Sequence, residues 1–119
     1  MKKTIILGAS TNPERYSYMA TTRLKSAGFE VVPVGISEGE IEGIKILTGT
    51  PAIENVDTVT LYVGPKNQAA YFDYIIGLKP KRVIFNPGTE NPDFYPLLKK
   101  NNIESVEACT LVMLSVSSY

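Results

Sequence analysis

The segment that decides the fold is residues 3–17, KTIILGASTNPERYS, in which an apolar run ends at a glycine and small polar residues follow. Residues 3–8 form the first predicted strand, apolar on both faces, as is typical of a strand covered on both sides in a parallel sheet. Residues 17–27 then place Ala20, Leu24 and Ala27 on one helical face, and Gly28 is a suitable helix end. This segment therefore predicts a strand, a tight loop and a helix.

The same alternation continues along the chain. Further strands are predicted over residues 29–34, 58–63, 82–85 and 103–106, and further helices over residues 66–78, 92–101 and 109–115. Strands that alternate with helices are joined by right-handed crossovers, so the sequence predicts an α/β, Rossmann-like, three-layer αβα fold. Its sheet is expected to have five mainly parallel strands in the order 3-2-1-4-5.

Two stretches complicate this pattern. Pro33 has no N–H to donate, so the second strand should end there or lie near a sheet edge. Residues 35–50 carry four glycines between scattered aliphatic residues, and they predict only a short strand or loop with one small hairpin.

Composition limits the classes of protein to consider. The 119 residues suit a single domain, residues 1–119, and the 44% hydrophobic and 20% charged content is that of a globular protein. Twelve basic and twelve acidic residues cancel, so no net field favours nucleic acid or a membrane surface. No apolar run is long enough for a signal peptide or a membrane span, and one cysteine cannot form an internal disulfide. We therefore expect a cytoplasmic protein.

The carboxyl ends of the predicted strands carry glycines and small polar residues. The four loops read GASTNP at residues 8–13, GPK at 64–66, NPGT at 86–89 and EACT at 107–110. Because a ligand binds at this edge of an open parallel sheet, we expect the four loops to surround one site.

The first loop predicts a phosphate site. A glycine-led turn between a strand and a helix N-terminus directs backbone N–H groups toward an anion. Ser10, Asn12 and Ser17 would add hydrogen bonds, and Arg15 would pair with phosphate oxygens. In the alternative interpretation, Gly8 only permits a tight turn and Ser17 only caps the helix.

The sequence argues against a nicotinamide dinucleotide. That class expects the pattern G-x-G-x-x-G and an acidic residue at the end of the second strand. Here Gly8, Ser10 and Pro13 occupy the three glycine positions, and the nearest acid, Glu38, comes three residues late.

The chain resembles the small CoA-binding Rossmann proteins, which are related to the CoA-binding domain of the succinyl-CoA synthetase alpha subunit. The resemblance spans nearly the whole chain, and its most specific parts are GASTNPERYS at residues 8–17 and GFEVVPV at 28–34. Supporting matches are VDTV at 56–59, NPG at 86–88 and EAC at 107–109. After the second strand the chain reads GISE, where many relatives have a proline-rich or basic stretch.

The resemblance implies that coenzyme A or an acyl-CoA is the ligand. The first loop would hold the nucleotide, adenine would lie near residues 34–36 and 63–66, and the thiol would point toward residues 86–89 and 107–109. Lys66 is the lysine best placed for the 3′-phosphate. The residues expected to bind the ligand are Gly8, Ala9, Ser10, Asn12, Arg15, Ser17, Val34, Gly35, Gly64, Pro65, Lys66, Asn86, Pro87, Gly88 and Cys109.

The sequence favours binding over catalysis. It contains no histidine, so a Ser-His-Asp or Cys-His arrangement is excluded, as is the phosphohistidine chemistry of the synthetase. No cluster has the spacing of metal ligands, and we expect no catalytic residue and no metal. The carboxylate pairs Glu104 with Glu107 and Glu90 with Asp93 are better explained as surface groups.

Two function classes stay open. The first is a non-catalytic carrier, sensor or regulatory module for CoA. The second is an enzyme component, either a detached acyl-CoA ligase subunit or a redox protein using Cys109, which opens the last predicted helix and would otherwise be a buried apolar residue. A homodimer or a protein partner also stays open.

Overall fold

The computed structural model describes residues 2–119. Over these residues the strands are β1 (Lys3–Leu7), β2 (Glu30–Gly35), β3 (Gly39–Ile41), β4 (Ile44–Thr48), β5 (Thr58–Leu61), β6 (Arg82–Phe85) and β7 (Glu104–Glu107). The helices are α1 (Tyr16–Ser26), α2 (Pro65–Gln68), α3 (Phe72–Leu78), α4 (Tyr95–Lys100) and α5 (Thr110–Ser115), and a 3₁₀ turn, Ala69–Tyr71, joins α2 to α3.

The strands form one sheet in the order β3-β4-β2-β1-β5-β6-β7. Every neighbouring pair is parallel except the β3–β4 hairpin, which confirms the predicted Rossmann-like α/β class. The predicted count of five strands and the order 3-2-1-4-5 are wrong. The strand predicted as the third is β5, which pairs with β1, and β4 holds the place beyond β2.

The error has a physical origin in residues 35–50. β4 is short, only one of its five residues is fully buried, and glycines flank it, so it lacks the apolar signature of the central strands. The predicted hairpin in this segment is confirmed as β3 with β4. Without β3, the six parallel strands lie in the order β4-β2-β1-β5-β6-β7. When these six are numbered along the chain, the order is 3-2-1-4-5-6, which is that of dinucleotide-binding folds.

Pro33 is accommodated without ending its strand. The carbonyl oxygen of Val34 accepts hydrogen bonds from the loop after β1, so the backbone of Val34 faces β1. The nitrogen of Pro33 therefore faces the other side, where the ladder with β4 begins only at Val34. Of the two predicted alternatives, an end of the strand at Pro33 is wrong, because β2 continues to Gly35, whereas the sheet does lack a ladder partner on the outer side of Pro33.

The helix predicted over residues 66–78 is interrupted by the 3₁₀ turn. The predicted apolar stripe contained Ala69, which is exposed, whereas the side chain of Gln68 is completely buried. α3 still buries Ile75 against the sheet. The interruption thus turns the polar side chain of Gln68 inward, where it bonds the loops that follow β5 and β6.

Helices cover both faces of the sheet. One apolar cluster joins Ile5, Val59 and Val83 to Ile75 of α3 and Leu98 of α4. The other joins Ile6 and Ile46 to Leu24 of α1, with Leu114 of α5 packed against it. The three-layer αβα architecture is therefore as predicted. Among residues 2–119, none of the helices has the length and apolar character needed to cross a bilayer.

Candidate functional site

A cleft of about 750 Å³ opens at the carboxyl ends of β1, β2, β5 and β6. It lies where the strand order reverses, between β1 and β5, which is where open α/β sheets bind ligands. Its volume is within the usual range for small-molecule sites. The lining residues are Gly8, Ala9, Ser10, Thr11, Arg15, Tyr16, Ser17, Ile36, Ser37, Glu38, Tyr62, Val63, Gly64, Asn67, Pro87, Gly88 and Thr89.

Gly8 is required where β1 enters its loop. Its φ is +101°, in the region that favours glycine, and a Cβ there would lie 2.9 Å from the backbone carbonyl carbon of Tyr62. The N–H groups of Gly8 and Ala9 both donate to the carbonyl oxygen of Val34 at 2.9 Å. The prediction that the glycine-led turn directs backbone N–H groups toward an anion is therefore wrong for Gly8 and Ala9.

The free donors lie further along the loop. Among residues 2–119, no acceptor pairs with the backbone N–H of Ser10 or Thr11, nor with those of the first three residues of α1. These groups belong to a loop that side chains hold in shape, because Ser10 Oγ accepts from the N–H of Asn12 at 3.1 Å and Asn12 Oδ1 accepts from that of Glu14 at 3.0 Å. The donors and the positive end of the α1 dipole suit an anion.

Arg15 and Ser17 both line this end of the cleft. Arg15 is exposed and is the residue that precedes α1, so its guanidinium is free to reach an anion there. Ser17 is the second residue of α1 and is buried, and no side chain caps the helix. The alternative prediction that Ser17 caps the first helix is therefore wrong, since the helix begins one residue before it.

Gln68 holds the two loops on the opposite side of the cleft. Its Nε2 donates to the carbonyl oxygens of Val63, at 2.8 Å, and Thr89, at 2.6 Å. Its Oε1 accepts from Asn91 Nδ2 at 3.1 Å. Because Val63 follows β5 and Thr89 follows β6, one buried amide fixes the spacing of both loops.

Asn86 is committed to protein partners. Its Nδ2 donates to Thr60 Oγ1 at 2.7 Å and to the carbonyl oxygen of Leu61 at 2.8 Å, while its Oδ1 accepts from the N–H of Thr110 at 2.9 Å. Its side chain therefore joins β5, β6 and the start of α5, and it is not among the residues that line the cleft.

Tyr62 has a buried hydroxyl beneath the start of α5. The hydroxyl makes no hydrogen bond of good geometry, although the paired hydroxyls of Thr60 and Thr110 lie near it. Burial raises the pKa of Tyr62 to about 12, against the opposing effect of those two threonines. Tyr62 is therefore a neutral group in the neutral pH range.

The cleft brings together eight of the predicted residues and leaves seven outside its lining. Inside are Gly8, Ala9, Ser10, Arg15, Ser17, Gly64, Pro87 and Gly88; outside are Asn12, Val34, Gly35, Pro65, Lys66, Asn86 and Cys109. Three of the outside residues support the first loop. Val34 and Asn12 do so through the hydrogen bonds given above, and Gly35 does so through the close approach of its backbone to the Ala9 carbonyl oxygen. Ligand contact by each of these residues stays a prediction.

Nine lining residues were not named individually by the prediction. Four of them, Thr11, Ile36, Val63 and Thr89, fall within the ranges expected to surround the ligand, and the other five, Tyr16, Ser37, Glu38, Tyr62 and Asn67, fall outside those ranges. Most are neighbours in sequence of predicted residues. Three of the four predicted loops line the cleft, whereas the fourth, residues 107–110, contributes no lining residue. Glu38 is a different case. It is an acidic residue shortly after β2, but it comes three residues later than the dinucleotide pattern requires, so the sequence analysis did not include it in the site.

A comparison with family models identifies the group to which this chain belongs. The model described as a CoA binding domain matches residues 2–115. The chain is a member of the CoA-binding domain family. The matched region contains every residue that lines the cleft.

The chain is also similar to individual proteins and solved structures. A solved structure of an uncharacterized protein is 55% identical, covers 100% of this chain and 98% of its own, and has a TM-score of 0.97. The uncharacterized protein YneT of Bacillus subtilis strain 168 is 23% identical over 98% of this chain and 87% of its own length. A dinucleotide-forming acetyl-coenzyme A synthetase of Ca. Korarchaeum cryptofilum shares the fold, with 16% identity and a TM-score of 0.73 over 90% of this CoA-binding domain and 25% of that chain.

Proposed function

We propose that the protein binds coenzyme A or an acyl-CoA reversibly in the cleft and acts as a carrier, sensor or regulatory module. The observation that carries this proposal is the first loop of a CoA-binding domain, where unpaired N–H groups, a helix N-terminus and Arg15 meet at one end of the cleft.

The diphosphate of the ligand would lie at this end. Ser10 and Thr11 would donate their N–H groups, and Arg15 would add charge-assisted hydrogen bonds. The rest of the cleft is lined by small residues of the loops after β5 and β6, including Gly64 and Gly88. Pantetheine is a narrow, largely neutral chain, and these loops leave room for it to cross the strand ends.

The lining offers little acid–base chemistry. Its titratable side chains are Arg15, Tyr16, Glu38 and Tyr62, and burial moves the pKa of the Tyr62 hydroxyl still further above neutral pH. A proton-transfer catalyst needs a group whose pKa lies near the working pH. With no histidine in the sequence, the chain is best suited to binding alone.

A second candidate is a detached component of an acyl-CoA ligase. The likeness of fold to an acetyl-coenzyme A synthetase favours it, and the chain spans 25% of that protein. In this case the remaining chemistry would come from a partner chain. A redox role for Cys109 has less support, because Cys109 is not in the cleft lining.

Calorimetry with CoA, NAD and ATP side by side tests the proposal. We expect CoA to bind and NAD to bind far more weakly, and CoA at a hundredfold excess over its Kd to stabilise the fold by about 2.7 kcal/mol. Incubation with acyl-CoA, ADP and phosphate should give no turnover by the isolated chain. Equal binding of CoA and NAD would contradict the proposal, and turnover would move it to the ligase class.

A further inference from the structure

The side chains that line the cleft carry no net formal charge. Arg15 and Glu38 are its charged residues among those described, so its formal charges cancel. CoA bears a diphosphate and a separate 3′-phosphate monoester, and a monoester alone carries roughly −1.5 to −2 near neutral pH. One guanidinium can serve the diphosphate, which leaves the 3′-phosphate without a cation in the lining.

Lys66 does not fill that gap. It is exposed at the start of α2, and the residues of this segment that line the cleft are its neighbours Gly64 and Asn67. The expected contact between Lys66 and a 3′-phosphate therefore lacks support from the geometry.

Glu38 lies beside the first loop, residues 8–13. The segment that carries it is pressed against this loop at both ends, because a Cβ on Gly35 would lie 2.5 Å from the carbonyl oxygen of Ala9 and one on Gly39 would lie 2.5 Å from Thr11 Cγ2. The carboxylate of Glu38 is exposed and makes no ion pair or side-chain hydrogen bond with any of residues 2–119. It is thus an unengaged acceptor on the cleft wall next to β2.

A carboxylate at this point of a Rossmann-type sheet accepts hydrogen bonds from ribose hydroxyls. The same carboxylate repels a phosphate attached to one of those hydroxyls, since two anions within a few ångströms disfavour each other. The sequence rule discounted Glu38 because it follows the strand by three residues, yet the fold returns it to the cleft. What disfavours NAD, whose adenosine ribose also has free hydroxyls, is therefore that Ser10 and Pro13 stand where the second and third glycines of the pattern are required.

Resting on the proposed binding of a CoA-type ligand, we propose that Glu38 selects a ligand whose adenosine ribose has free hydroxyls. The ligand class is then dephospho-CoA and its acyl derivatives, in preference to CoA with its 3′-phosphate. Glu38 is the residue that determines this specificity, and Arg15 serves the diphosphate that both ligands share.

Calorimetry with dephospho-CoA and CoA tests the inference. The wild-type protein should bind dephospho-CoA about tenfold more tightly than CoA, because Glu38 accepts a hydrogen bond from the free ribose hydroxyl and repels the 3′-phosphate. Glu38→Gln should bring the two affinities close together, and Glu38→Lys should reverse the preference. Glu40→Lys is the matched control, because Glu40 is exposed, lies outside the cleft lining and gives the same change of net charge.

The outcomes separate the two proposals. Equal or tighter binding of CoA by the wild-type protein would overturn the inference while leaving CoA binding in place. A reversal of preference that Glu40→Lys produces as well would also overturn it, because net charge would then be the cause. Failure of both ligands to bind would overturn the proposed function and this inference with it.

Discussion

The side-chain nitrogen of Gln68 donates a 2.6 Å hydrogen bond to the carbonyl oxygen of Thr89, across the space between the loops after β5 and β6. Gln68→Met keeps the length of the side chain and removes this donor, leaving the buried carbonyl oxygen of Thr89 and the half-buried one of Val63 without it. We expect the free energy of unfolding to fall by about 2 kcal/mol and CoA affinity to fall with it. Urea unfolding and calorimetry measure the two effects.

Tyr74→Phe is the control for Gln68→Met. The Tyr74 hydroxyl donates to the carbonyl oxygen of Pro51 at 2.7 Å, away from the cleft, so its removal should cost about 1 kcal/mol and leave CoA affinity unchanged. An equal loss of affinity in both variants would mean that stability, rather than the spacing of the two loops, governs binding.

Tyr62→Phe should behave in the opposite way to Tyr74→Phe. The Tyr62 hydroxyl is buried without a hydrogen bond of good geometry, and an unsatisfied buried polar group destabilises the native state. We expect Tyr62→Phe to leave the free energy of unfolding unchanged or to raise it by up to about 1 kcal/mol. Urea unfolding at pH 7 checks this, and a loss as large as that of Tyr74→Phe would show that the Tyr62 hydroxyl is bonded.

Tyr62 also predicts how stability depends on alkaline pH. Its pKa is about 12 in the folded protein and about 10 when unfolded, so folding favours the protonated form. The resulting stability is complete below pH 10 and is lost as the pH rises toward 12. At pH 11 the wild-type protein should have lost about 1 kcal/mol more than Tyr62→Phe, relative to pH 9. Parallel pH profiles of the two proteins would refute this assignment.

Arg15→Ala and Ser17→Ala should both weaken CoA binding without unfolding the protein. Arg15 is exposed and Ser17 caps no helix, so neither side chain makes a large contribution to stability. Loss of the Arg15 guanidinium should cost about 1.5–3 kcal/mol of binding free energy. Calorimetry measures this, and Arg23→Ala, on an exposed face of α1 outside the cleft, is the control. Unchanged affinity in Arg15→Ala would remove Arg15 from the site.

The strand–loop–helix of residues 3–17 could be predicted because each part has its own local signal. β1 is apolar on both faces, the loop begins with a glycine, and α1 has a buried stripe. The strand order could not be predicted, because it depends on β4, whose glycine-rich surroundings and partial burial give no strong pattern. A short strand with so weak a pattern is defined by the strands that it pairs with, here β2 and β3, and the sequence does not name them.

Individual site residues were harder to predict than the loops that carry them. Glu38 enters the cleft because Gly35 and Gly39 let its segment approach the first loop, which is a tertiary effect. Gln68 was overlooked because helical periodicity placed its neighbour Ala69 on the apolar stripe, and the 3₁₀ turn changes that face. Side-chain direction in such loops follows from packing, so residue type and spacing alone do not determine it.

Asn86→Ala should lower stability more than it lowers CoA affinity. The substitution leaves the N–H of Thr110 and the carbonyl oxygen of Leu61 without their partner, and both groups are buried between β5, β6 and α5. We expect the free energy of unfolding to fall by about 3 kcal/mol. Asn101→Ala is the control, because its exposed 2.8 Å bond to the carbonyl oxygen of Leu97 should contribute only a few tenths of a kcal/mol. Near-normal stability of Asn86→Ala with lost CoA binding would show that this amide contacts the ligand directly, as the family resemblance implies.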